Sequence, residues 1–72
     1  MKEFKEINFS PYATNVLDWQ YEEGLITKDG RNVMIKRYNM EFIITIGKEE
    51  YRTYTNVEAS YILNKNQTGT LV

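Results

Sequence analysis

The side chains in these 72 residues that could do acid–base or metal chemistry are carboxylates, because the chain has no His and no Cys. Nucleophilic and general-base catalysis at neutral pH most often recruit those two residue types. What remains is a pair of acids: in the hairpin register set out below, Asp18 stands opposite Glu41, and two facing carboxylates could hold Mg2+ or share a proton. Like charges directly opposite one another destabilise a strand ladder, so the pairing is expected to end or bulge before that point. Glu22-Glu23 and Glu49-Glu50 read as ion-pair partners and as turn solvation, respectively. Gly24, Gly30, Gly47 and Gly69 are scattered singly, which leaves no phosphate-cradling glycine motif. The chain therefore reads as a binding protein rather than an enzyme, with no catalytic residue, metal ligand, cofactor or small-molecule substrate expected.

Recognition chemistry has two sources. Lys28, Arg31, Lys36, Arg37 and Arg52 lie on or near the first hairpin and could contact phosphates. Lys36 and Arg37 are expected to face Glu23 and Glu22, and Asp29 sits at the tip, so little positive charge is left unpaired. With a net charge of -1, the counterion release that drives nucleic-acid affinity is small, and a nucleic-acid module using Lys28, Arg31, Lys36 and Arg37 is the alternative reading. The other source is aromatic and apolar: six Tyr and one Trp suit a protein-binding surface.

The elements that must position these groups follow from size and pattern. A chain this short buries only about 60% of the surface its unfolded form exposes, so one small domain over residues 1–72 is expected, with marginal stability or self-association. Hydrophobic residues at 42% and charged residues at 26% are the balance of a chain that folds. Without Cys there is no disulfide framework, and Lys2, Glu3, Lys5 and Glu6 stand where a signal region would be apolar. A soluble cytoplasmic protein is expected, which makes the sequons Asn8-Phe9-Ser10 and Asn66-Gln67-Thr68 coincidental.

Asp29-Gly30 suits a two-residue type I' turn. With Lys28 facing Arg31, Ile26 meets Val33, Leu25 meets Met34, Glu23 meets Lys36, Glu22 meets Arg37, Tyr21 meets Tyr38 and Trp19 meets Met40. A second hairpin turns through residues 47–50, placing Ile46 opposite Tyr51. The fold class is then α+β: a strongly bent three-stranded antiparallel meander (about 17–28, 31–46 and 50–55) packed by a C-terminal helix (about 56–65). Sixteen residues in the middle strand are too long to lie flat, so a bend or bulge is expected at Arg37 to Asn39. Side-chain alternation puts Trp19, Tyr21, Leu25, Met34, Tyr38, Met40, Phe42, Ile44, Ile46 and Tyr51 on the core face. The opposite, mixed face carries Ile26, Val33, Ile35, Ile43 and Tyr54 beside Arg37 and Arg52.

Thr55-Asn56-Val57-Glu58 is a capping box opening the helix, whose Ala59, Ile62 and Leu63 share a face. Leu71-Val72 is expected to return as a short edge segment. Ser10-Pro11 fits an N-cap and first helical position, predicting a helical turn over Pro11 to Asn15, followed by a strand from Leu17 to Glu22. Three strands followed by a helix opening at Thr55 to Ala59 resemble, in topology over residues 19–65, DNA-binding domains of the AP2 and integrase arm-binding type. Such domains read DNA with the sheet, but this chain has Asp18, Glu22 and Glu41 where their surface is basic. The Lys/Asn/Ile/Tyr-rich make-up also resembles that of short accessory proteins of phages or mobile elements from low-GC bacteria.

One helix cannot cover both sides of a sheet. If the mixed face stays open, Ile26, Val33, Ile35, Ile43 and Tyr54 form an apolar strip flanked by Arg37 and Arg52, the expected contact surface for a protein partner or a second copy. If instead residues 1–15 fold over it, Phe4, Ile7, Phe9 and Tyr12 are what cover it.

Overall fold

The computed structural model describes residues 2–12 and 24–72. Strands β1 (Phe4–Glu6), β2 (Leu25–Thr27), β3 (Asn32–Tyr38), β4 (Glu41–Ile46), β5 (Glu49–Thr53) and β6 (Thr68–Leu71) form one curled antiparallel sheet. Its order is β1-β6-β2-β3-β4-β5, and helix α1 (Asn56–Lys65) leads from β5 to β6. The α+β class and the C-terminal helix agree with the sequence; the sheet is richer than a three-stranded meander. Pro11 and Tyr12 form a turn in which the Ser10 hydroxyl accepts the Tyr12 amide at 3.1 Å. The rest of the helical turn expected there lies outside the described residues. So do the strand expected over Leu17 to Glu22 and the pairs built on Asp18, Trp19, Tyr21, Glu22 and Glu23.

Three turns set the register. The first hairpin is joined by three residues, not two: Leu25 pairs with Val33 and Ile26 with Asn32, one step from the expected ladder. Buried Thr27 explains the extra residue, since its hydroxyl donates to the Asp29 carboxylate while accepting the Arg31 amide at 2.9 Å. Gly30 then closes the loop with φ +92, a conformation that a side chain would strain. The middle strand does not bend. It breaks at Asn39-Met40 into a tight hairpin, with Tyr38 opposite Glu41 and Asn39 at φ 57, which Asn tolerates better than most residues. Between β4 and β5 the turn is Gly47-Lys48, so Ile44 rather than Ile46 faces Tyr51.

The Asn39-Met40 turn inverts the alternation expected for β3. Val33 and Ile35, 7% and 0% exposed, point into the core with Ile44 and Ile46, whereas Met34, Tyr38 and Met40 are exposed. The core consists of Phe9, Leu25, Val33, Ile35, Ile44, Ile46, Ala59 and Leu63, with Ile7, Phe42, Tyr51 and Ile62 packed against it. Each large side chain so buried contributes about 1.5–3 kcal/mol.

Thr55 caps the helix as expected, its hydroxyl accepting the Glu58 amide at 3.2 Å, while the Glu58 carboxylate reaches back to the Thr55 hydroxyl at 3.1 Å and to the Tyr54 amide, one residue before the cap, at 3.3 Å. The returning segment Thr68–Leu71 is not an edge but an inner strand between β1 and β2. Gly69 makes this possible, because a Cβ there would lie 2.1 Å from the Lys5 carbonyl oxygen.

Candidate protein-binding surface

The ladder assigns every strand residue to a face. Opposite the core, the outer face carries Ile26 and Asn32, Met34 and Thr45, Lys36 beside Ile43 and Arg52, and Phe4 beside Leu71. Alpha helix α1 lies on the other side, where Ala59 and Leu63 join the core. Among the described residues, then, no secondary element covers the outer face.

The seven residues expected to make contacts are not brought together. Val33 and Ile35 are core residues, and this corrects their placement on an open strip. Arg37 is opposite Phe42 on the core side of the ladder, where its Nε donates to the Asn39 carbonyl at 3.3 Å. Ile26, Ile43 and Arg52 do share the outer face, while Tyr54, 65% exposed, lies beyond the end of β5. Of the N-terminal aromatics, Phe9 enters the core under the same sheet, and Tyr12 is exposed.

Three outer-face residues were missed from sequence. Met34 is half exposed, Leu71 partly so, and Phe4 adjoins Leu71 in the ladder. Outward-facing Ile26, Asn32, Met34 and Leu71, with Gly24, Leu25 and Val33, line a shallow hollow of about 350 Å3, within the size range of recognition pockets. The signal was the run Val33-Met34-Ile35, in which strand alternation exposes either the middle residue or both flanking ones.

Charge is arranged around this apolar patch. Arg52 donates to Glu41 at 2.7 Å and to Glu50 at 3.3 Å, and the Glu41 contact raises the Arg52 pKa above its ordinary value. Glu41 therefore faces a cation, and Asp18 lies outside the described residues. No group of three or more His, Cys, Asp or Glu side chains among the described residues could hold a metal ion.

The basic residues of the alternative reading are dispersed. Lys36 and Arg37 point to opposite faces, Lys28 sits in the first turn, and the Arg31 guanidinium is held by both Asp29 carboxylate oxygens at 3.1 Å. Among the described residues, no helix is long and apolar enough to cross a membrane. The order three strands then helix survives in β3, β4, β5 and α1, within a larger sheet. Comparisons with protein-family models, with curated proteins and with solved structures find no match for this chain.

Proposed function

We propose that the protein is a non-catalytic binding or regulatory module that meets a protein partner through the outer sheet face centred on Ile26, Met34 and Leu71, with Ile43, Lys36 and Arg52 at its margin. The observation that carries this reading is the apolar hollow beside half-exposed Met34, on the face that α1 leaves open. Contiguous exposed apolar surface rimmed by charge marks interaction sites in small proteins, and Met adapts to the shape of what it meets. Size and composition fit a short cytoplasmic accessory protein of a phage or mobile element.

The test is capture of partners from host lysate, with and without nuclease, by the wild-type chain, Met34→Glu and Val57→Glu. Val57 is exposed on α1, away from the proposed surface, and serves as the control. A protein retained after nuclease by wild type and Val57→Glu but lost by Met34→Glu supports the reading. Equal capture by Met34→Glu removes the outer face from consideration. Loss of every partner on nuclease treatment replaces the reading with nucleic-acid binding around Lys28 and Arg31.

A further inference from the structure

Among the described residues the sheet ends at β5, and the two-residue turn before that strand fixes which way its backbone points. Ile46 and Glu49 close the turn as a hydrogen-bonded pair, and alternation makes Ile44 with Tyr51 and Phe42 with Thr53 the next such pairs. The N–H and C=O groups of Glu50 and Arg52 are thereby directed to the open edge. Both side chains are exposed on the outer face, one an acid and the other a base two residues on.

From this edge we propose that two copies of the chain associate by antiparallel pairing of β5 with β5, with the two-fold axis at Tyr51. In that register Glu50 of each chain stands opposite Arg52 of the other, both as hydrogen-bonded pairs, which yields four backbone hydrogen bonds and two cross-strand ion pairs. The Tyr51 side chains meet on the core side of the ladder. Arg52 keeps Glu41 of its own chain and exchanges the Glu50 of its own chain, 3.3 Å away, for Glu50 of the other. Backbone direction also permits axes at Glu50 or Arg52, but these set Glu against Glu or Arg against Arg.

The opposite edge lacks this complementarity. Glu3 and Val72 exchange backbone bonds at 2.7 and 2.8 Å, so Phe4 and Glu6 of β1 face outward. Pairing of β1 with itself about Lys5 would oppose Lys5 to Lys5 and Phe4 to Glu6. This self-association is independent of the outer-face reading, because it uses an edge rather than a face.

Sedimentation velocity of the intact chain over a concentration series tests it, with folding of each variant followed by circular dichroism. Wild type is expected to show a reversible monomer–dimer equilibrium that weakens with added salt. Glu50→Arg and Arg52→Glu each oppose like charges and should raise the dimer dissociation constant by about tenfold or more. An equimolar mixture of the two restores Glu–Arg pairing at both positions and should recover the dimer. Tyr51→Cys, in a chain with no other Cys, should form a disulfide-linked dimer under mild oxidation, because residues across a non-hydrogen-bonded pair lie about 4.5 Å apart. Should Arg52→Glu not fold, Glu50→Arg and Tyr51→Cys decide the matter. A wild-type chain that stays monomeric, or a dimer that Glu50→Arg leaves intact, overturns the proposal. A dimer lost in Met34→Glu but kept in Glu50→Arg overturns it in favour of the outer face.

Discussion

The side-chain amide of Asn64 clamps the backbone of Phe9: its oxygen accepts the Phe9 N–H at 2.9 Å, and its nitrogen donates to the Phe9 carbonyl at 2.9 Å. This two-point contact ties the N-terminal segment to α1 and seats the Phe9 ring in the core, 55 residues away in sequence. Asn64→Ala removes both partners from the backbone of buried Phe9, and Asn64→Asp keeps only the acceptor. Each should destabilise the fold by about 1–3 kcal/mol, measured by urea denaturation.

Ile35 and Met34 are neighbours with opposite roles. Ile35 has no exposed surface, so Ile35→Glu buries a charge and should cost about 4 kcal/mol or more, enough to unfold so small a chain. Met34→Glu, at a half-exposed position, should change the denaturation midpoint little while abolishing partner capture. Circular dichroism of the two variants side by side checks the inversion of β3.

Thr53 is buried on β5, and its hydroxyl has no hydrogen-bond partner among the described residues. Thr53→Val keeps the shape and the strand preference while removing an unsatisfied polar atom. A gain of about 1 kcal/mol is expected in thermal or urea unfolding.

Two turn contacts impose opposite pH dependences. The Thr27 hydroxyl, then the Arg31 guanidinium, hold the Asp29 carboxyl below its ordinary 3.8. A carboxyl lowered in the folded state stabilises the fold above its ordinary value, and that contribution fades as pH falls through the folded value. Tyr51 donates to the Glu49 carboxylate, which pushes the phenol above its ordinary 10.0. Here the contribution is complete below 10.0 and is lost as pH climbs through the raised value. Asp29→Asn should flatten the acid limb of the melting temperature against pH. Glu49→Gln should bring Tyr51 back toward 10.0 in a tyrosinate absorbance titration.

Local chemistry made much of the fold legible, and long-range pairing made the rest opaque. Thr55 and Glu58 marked the helix start because a cap is a contact between near neighbours. Asp29-Gly30 marked a turn but not its length, which depends on whether the Thr27 hydroxyl joins it. That single residue shifts the β2 register, and the unforeseen turn at Asn39-Met40 exchanges the faces of Val33, Met34 and Ile35. Strand β6 is legible only as a short edge segment at Leu71-Val72, because Thr68, Gly69 and Thr70 gain their place only from β1 and β2 on either side. The candidate surface follows: Ile26, Ile43 and Arg52 lie opposite the core, as their alternation suggests, whereas Met34, expected in the core, faces outward at the hollow.

The central claim is that the outer face of the sheet is the recognition surface. It is tested most directly by titrating the isotopically labelled protein with its captured partner and following backbone and methyl resonances. The account predicts that shifts concentrate at Ile26, Met34, Ile43 and Leu71, with α1 unperturbed. Shifts confined to the exposed side of α1, around Val57 and Tyr61, or to the turn at Lys28 and Arg31, would contradict it.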